Sequence, residues 1–207
     1  MLITLGVTLA SYLLGSLSFA VIISRVMGLS DPRSYGSHNP GATNVLRSGN
    51  KKAAILTLIL DAAKGWLPVF AVQHFGGEYA LGAGTAALAG IAAFVGHLYP
   101  VFFRFKGGKG VATAAGVLLG VNALFGLSVA LTWVIVAWFF RYSSLAALAA
   151  AVFAPAYYAF GGDVAWPYAE PILGTLIVMG LLLVWRHIDN INRLVAGKES
   201  KLGAKKK

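Results

Sequence analysis

Residues 99–113 read YPVFFRFKGGKGVAT. Arg104, Lys106 and Lys109 stand among Gly107, Gly108 and Gly110, directly before an apolar run that predicts a helix. Ammonium groups, uncovered main-chain amides and the positive end of a helix dipole converge there, which outlines a phosphate site. Positive charge at a membrane surface also sets topology, and three cations alone would serve that purpose. Topology does not need glycine, whereas a Gly-Gly pair inside a basic loop lets backbone approach a ligand that a Cβ would obstruct. The spacing is not G-x-x-x-x-G-K-[ST], so this is no Walker loop.

The composition around the loop predicts a polytopic membrane protein. Of 207 residues, 58% are hydrophobic and only 12% charged, against about a quarter charged in a soluble domain; mean hydropathy is +0.75. A net charge of +10 suits an anionic leaflet or a phosphorylated substrate, and no RNA-binding signature accompanies it, so nucleic acid is not an expected partner. The absence of cysteine removes disulfides, thiolate catalysis and Cys-ligated metals. The N-terminus lacks a basic n-region and stays apolar to about Ile23, longer than the ~7 to 15 residues of a signal-peptide core, so it reads as a retained span.

Seven spans are expected, near residues 3–27, 53–73, 79–98, 111–121, 124–140, 145–160 and 171–185, in one membrane domain over residues 1–207. The first carries Gly15, Ser16, Ser18 and Ala20, and the third spaces Gly82, Ala86 and Gly90 four apart, patterns that permit close helix packing. The fourth is short, and Pro155 in the sixth should kink it. Asp61 and Lys64 lie one turn apart within the second span, where charge is expensive, so the pair is either functional or a structural ion pair. Alternating sides puts residues 28–52, 99–110, 141–144 and the tail from 186 on one surface with nearly every Lys and Arg. The turns near 75–78, 122–124 and 161–170 have none. The positive-inside rule then places the N-terminus outside and the C-terminus in the cytoplasm.

Three polar segments therefore share the cytoplasmic face: the Gly-Ser-His-Asn loop with Arg47, the KGGKG loop, and the tail RHIDNINR. Residues 28–52 are longer than a connection needs, which points to function, and Tyr35, Val45 and Leu46 argue for order. His187, Asn190 and Arg193 recur at helical spacing and would face one way. The inventory of cations, amides, hydroxyls and glycine amides suits phosphates better than a metal. His38, His74, His97 and His187 lack paired metal spacing, and none has Asp five residues on. No serine sits in G-x-S-x-G. No metal or cofactor is expected. A site of this kind suits a substrate that is already activated, for which binding, orientation and charge stabilisation suffice.

Three stretches, GSHNPGATNVLR (36–47), GHLYPVFFRFKGGKGVAT (96–113) and RHIDNINRLVAGKE (186–199), resemble the three signature motifs of the bacterial acyl-phosphate:glycerol-3-phosphate acyltransferases of the PlsY type. The resemblance covers essentially the whole chain. One departure is His38, standing where the family usually has glycine. The resemblance implies an all-α integral membrane enzyme of the bacterial inner membrane. It would transfer a long acyl chain from acyl phosphate to the sn-1 hydroxyl of glycerol 3-phosphate, giving lysophosphatidic acid and phosphate in the first step of phospholipid biosynthesis. By motif position, Ser37, Asn39, Asn44 and Arg47 would hold phosphate and order the first loop, while Lys106, Gly107, Gly108, Lys109 and Gly110 would bind glycerol 3-phosphate. His187 and Asn190 would position the hydroxyl or the phosphates, Glu199 would be structural, and Ser144 and Lys64 would be further members of the site. Ser37, Arg47, Lys109, His187 and Asn190 are expected to carry the reaction. Membrane lipid is the expected surroundings. The competing readings are a carrier for phosphate esters, against which no inverted repeat is visible, and a scaffold for anionic lipid.

Overall fold

The structure, a computed structural model, describes residues 1–203, and every named element among them is helical. The chain divides into two compact units, Met1–Val121 and Asn122–Lys207. The first contains α1 (Leu2–Gly15), α2 (Phe19–Val26), a five-residue α3 (Ala42–Leu46), α4 (Lys51–Phe75), α5 (Ala83–Leu98) and α6 (Val111–Val121). The second contains α7 (Ala123–Phe140), α8 (Ser143–Gly161), α9 (Glu170–Arg186) and α10 (Ile188–Val195).

Both units show large apolar side chains to their surroundings, with Trp138 81% and Phe160 87% exposed, the reverse of a water-soluble surface and the expected exterior of a protein solvated by lipid. Lys51–Tyr79, Ala83–Phe103, Ala123–Phe140 and Ser143–Gly161 are each long and apolar enough to cross a membrane. Two bent pairs, α1 with α2 at 44° and α9 with α10 at 58°, raise the number to six if each is one span. At 11 residues, α6 measures about 16 Å, well short of a hydrocarbon core of about 30 Å.

In the first unit, small residues set the helix crossings. A Cβ on Gly15 would strike Ala93 O on α5, one on Gly96 would strike Tyr12 O on α1, and one on Gly116 of α6 would strike Ala62 O on α4. Gly65 of α4 abuts Thr113 O in the same way. Without a hydrophobic drive between helices in lipid, such backbone contact is what holds them together. Of the expected four-residue stripe on α5, Ala86 is buried and Gly90 packs on Val69 and Val117, whereas Gly82 has open space around it.

The first span is not continuous, because the helix breaks at residues 16–18. Val21 N, the donor that would otherwise reach Leu17 O, bonds Ser18 O instead at 3.0 Å. Lys64 Nζ fills the deficit, donating to Leu17 O at 2.6 Å. A carbonyl freed inside an apolar bundle needs such a partner.

In the second unit α8 continues through Pro155. Tyr158, 1% exposed, organises the turn that follows. Its hydroxyl donates to Pro167 O at 3.2 Å and accepts from Ala169 N at 3.1 Å, while its carbonyl accepts from Trp166 Nε1 at 3.1 Å. The Trp166 ring lies over Gly161, where a Cβ would collide with it.

Candidate active site

The polar segments form one cluster in each unit. In the first, Asp31 starts the long loop with an Asx turn: its Oδ1 accepts from Arg33 N at 2.9 Å, and Arg33 closes a two-point pair through Nε at 3.0 Å and Nη2 at 2.6 Å. Those bonds from Arg33 hold the Asp31 carboxyl below the usual carboxylate range.

Asn44, 2% exposed, is the post around which the loop winds. Its Oδ1 accepts from Ser37 N at 3.0 Å and from Arg47 Nη1 at 3.4 Å, and its Nδ2 donates to Pro32 O at 2.6 Å and Tyr35 O at 3.1 Å. The amide is spent within the chain, so Asn44 orders the loop and has no donor left for a phosphate. Gly36, at φ +63°, passes directly over this amide, where a Cβ would collide with Asn44 Oδ1. His38 has φ +55°, the left-handed region glycine enters freely. Its Nδ1 bonds Arg33 O at 3.0 Å. His38 thus occupies a conformation that glycine would adopt without strain. Ser37, His38 and Arg47 are exposed and Asn39 is half-buried.

The basic glycine loop has a different logic from the one its sequence suggests. Gly108 N donates to His97 O at 3.1 Å. A Cβ on Gly107 would run into His97 O and Leu98 O, one on Gly108 into His97 Nε2 and Pro40 O, and one on Gly110 into the Phe94 ring. The glycines are required because the loop folds onto the C-terminal end of α5, whatever approaches from the other side. That fold carries Lys109, half-buried, and Lys106, exposed, to the start of α6. Pro40 O beside Gly108, and Arg33 over the Phe103 ring at 5.9 Å, bring the first loop against the second.

Beneath this loop lies a buried ionic cluster. Lys64 Nζ sits 2.8 Å from Asp61 Oδ1, and His97 Nδ1 lies 3.6 Å from the same oxygen; all three side chains are at most 7% exposed. Lys64, expected as a member of the site, has its ammonium between Asp61 and Leu17 O of the broken first span. Reading the sequence paired Asp61 with Lys64 but missed His97. The available signal was a titratable side chain at the end of a long apolar run, inside the second motif.

In the second unit the centre is Glu199. Its Oε1 accepts from Ser144 Oγ at 2.7 Å and Asn190 Nδ2 at 2.6 Å, and its Oε2 accepts from Arg193 Nε at 2.7 Å. Burial pushes this carboxyl up, but the bonds from Arg193, Ser144 and Asn190 outweigh it and hold the group below its ordinary value. Ser144, 4% exposed, donates its hydroxyl to Glu199 and so ties the start of α8 to the tail. Asn190 Nδ2 is held by Glu199. His187 sits at the bend between α9 and α10, 3% exposed. Its Nδ1 donates to Leu183 O at 2.8 Å, which fixes a proton on Nδ1 and leaves Nε2 as the nitrogen able to accept one. The segment after α10 is tied back to the start of α8 by Leu202 N to Arg141 O at 2.6 Å and Arg141 Nη2 to Leu202 O at 3.0 Å.

The family model described as glycerol-3-phosphate acyltransferase matches residues 5–197. A glycerol-3-phosphate acyltransferase of Albidiferax ferrireducens is 63% identical over 201 residues, covering 97% of this chain and 90% of the relative. One from Paraburkholderia phytofirmans is 64% identical over 201 residues, covering 97% and 92%. Among solved structures, the crystal structure of PlsY (YgiH), an integral membrane glycerol 3-phosphate acyltransferase, in its glycerol 3-phosphate form is similar with a TM-score of 0.87 at 40% identity, covering 97% of this chain and 96% of that one. Its lysophosphatidic acid form gives a TM-score of 0.84 at 40% identity, with coverage of 97% and 95%.

Proposed function

The chain belongs to the glycerol-3-phosphate acyltransferase family, a bacterial multi-pass membrane acyltransferase, and from that premise we propose that it takes its acyl group from a long-chain acyl phosphate. The acyl chain goes to the sn-1 hydroxyl of glycerol 3-phosphate, and lysophosphatidic acid and inorganic phosphate leave. The observation that carries this is the overall match to a protein whose two solved forms contain glycerol 3-phosphate and lysophosphatidic acid, a substrate and a product of that transfer. An acyl phosphate is a mixed anhydride and needs no protein nucleophile, which suits a chain without cysteine.

In the proposed reaction Lys106, Lys109 and the glycine loop, whose Gly108 amide is given to His97 O, hold glycerol 3-phosphate. Ser37, Asn39 and Arg47 hold the phosphate of the donor, which leaves as that bond breaks. His187 and Asn190 keep in the proposal the role their motif implies, positioning the hydroxyl or the phosphates. The hydroxyl oxygen bonds to the acyl carbon, and a substrate phosphate, with a second pKa near ~6, accepts the proton. The second reading gives that proton to His187, favoured by the Nδ1 proton held on Leu183 O.

The seven-span arrangement, with the N-terminus outside and the active face in the cytoplasm of the inner membrane, belongs to the same proposal, as does the action of the whole chain as one domain. It is supported by the basic residues in 28–52, 99–110, 141–144 and from 186. Purified protein in detergent with acyl phosphate and glycerol 3-phosphate should release phosphate in step with lysophosphatidic acid. Acylation only with acyl-coenzyme A or acyl-carrier protein refutes the donor. His187→Ala at saturating substrates should keep measurable turnover; loss of several orders of magnitude with unchanged KM makes His187 the base.

A further inference from the structure

The buried cluster under the glycine loop has no part in the reaction proposed above, yet it is built at some cost. Asp61 and Lys64 are each 2% exposed and His97 7%, and charges buried in an apolar bundle persist only where partners compensate them. Lys64 has two such partners, Asp61 at 2.8 Å and Leu17 O at 2.6 Å. The Asp61 oxygen that receives Lys64 also faces His97 Nδ1, at 3.6 Å, an ion-pair distance longer than a hydrogen bond.

His97 then meets the glycine loop twice. Its carbonyl accepts the Gly108 amide at 3.1 Å. The opposite edge of its ring, at Nε2, lies where a Cβ of Gly108 would be, with Pro40 O of the first loop on the same spot. One imidazole thus has Asp61 at one nitrogen and the phosphate-binding loop at the other. Rotation of the ring off Asp61 would drive it into Gly108 or open a gap beneath it.

We infer that His97 is a positioning residue for glycerol 3-phosphate, setting the height of the Gly107–Gly108–Lys109 backbone over α5, with its ring orientation held by Asp61 and the charge of Asp61 balanced by Lys64. This rests on the loop being the glycerol 3-phosphate site. The effect falls first on that substrate, because His97 bonds the glycine loop directly, whereas the first loop meets Gly108 through Pro40 O.

The test compares His97→Ala, His97→Asn and His97→Gln in the full-length protein in detergent. An Asn amide nitrogen takes the place of Nδ1 and faces Asp61; a Gln amide nitrogen takes the place of Nε2 and does not. His97→Ala should raise KM for glycerol 3-phosphate at least tenfold with KM for acyl phosphate within twofold, His97→Asn should recover most of that loss, and His97→Gln should not. Hydrogen exchange of peptides covering residues 106–111, read without substrate, should be fast in the Ala and Gln proteins and near wild type in the Asn protein. Should the alanine protein fail to purify folded, the Asn and Gln proteins carry the comparison. Equal KM and equal exchange in those two overturn the inference, as does a parallel rise in both Michaelis constants. If the wild type does not turn over these substrates, the proposed function fails, and the exchange pattern still decides whether His97 sets the loop.

Discussion

Replacing Glu199 separates the contributions of its two oxygens, because the structure assigns different donors to each. Ser144 and Asn190 share Oε1 at 2.7 and 2.6 Å, while Arg193 alone binds Oε2 at 2.7 Å. Glu199→Gln keeps an acceptor for the first two and sets an amide donor against Arg193. A charge-assisted bond is worth ~1.5–3 kcal/mol, but the Arg193 side chain is 41% exposed, and screening brings the expected loss to about 1 kcal/mol. Glu199→Ala strands the buried Ser144 hydroxyl and Asn190 amide as well, at ~1–3 kcal/mol each, for a total of about 3–7 kcal/mol. The pH dependence follows from the depressed carboxyl. Its stabilisation is complete above the unfolded value, near ~4.3, and is lost as pH falls through the lower folded value. Thermal unfolding in detergent at pH 7 should rank wild type above Gln above Ala. Between pH 6 and 3 the wild type should lose its advantage over Glu199→Gln. A glutamine protein as unstable as the alanine one, or a gap between wild type and glutamine that does not narrow with acid, would refute the two-oxygen account.

Asn44→Asp should be worse than its near-identity suggests. It keeps the acceptor for Ser37 N but turns a carboxylate oxygen towards Pro32 O and Tyr35 O, costing ~1–3 kcal/mol or more, with faster proteolysis within residues 31–47. Gly116→Ala forces α6 off α4, since the added carbon would lie 2.7 Å from Ala62 C and 2.9 Å from Trp66 N; a loss of ~1–3 kcal/mol is expected, against near-neutrality for Gly174→Ala, which has open space. Lys64→Met leaves the buried Asp61 carboxylate without its ammonium partner, with His97 Nδ1 at 3.6 Å, and should cost ~3–5 kcal/mol, much of it recovered in Asp61→Leu/Lys64→Met. An additive double variant would show that the pair is not coupled.

The carrier reading of the seven apolar segments ends with the family assignment, and the segments themselves were largely legible. Apolar runs bounded by Gly, Asn and basic residues define α4 through α9 to within a few residues, except that α5 begins at Ala83 because residues 76–79 form a short 3-10 turn. The break in the first span was not legible. Residues 16–18 are apolar or small and could continue a helix, and only Lys64, remote in sequence, satisfies the carbonyl the break frees. Nor could composition count spans, because an 11-residue helix in a membrane protein need not cross it.

The sequence alone determined the class of the protein, the chemistry it can offer and the motifs that carry it, since hydropathy, charge placement and residue type are local properties. Tertiary structure decided which of those residues are committed to the chain itself. Asn44, Lys64 and Ser144 all carry groups suited to a phosphate, and the fold directs donors of each to partners within the chain: loop carbonyls, Leu17 O with Asp61, and Glu199. Hydrogen bonding saturates, and which partner takes a donor depends on segments that meet only when the chain folds. The glycines of KGGKG show the same division: their spacing announces close approach, and the fold shows that the surface approached is the end of α5.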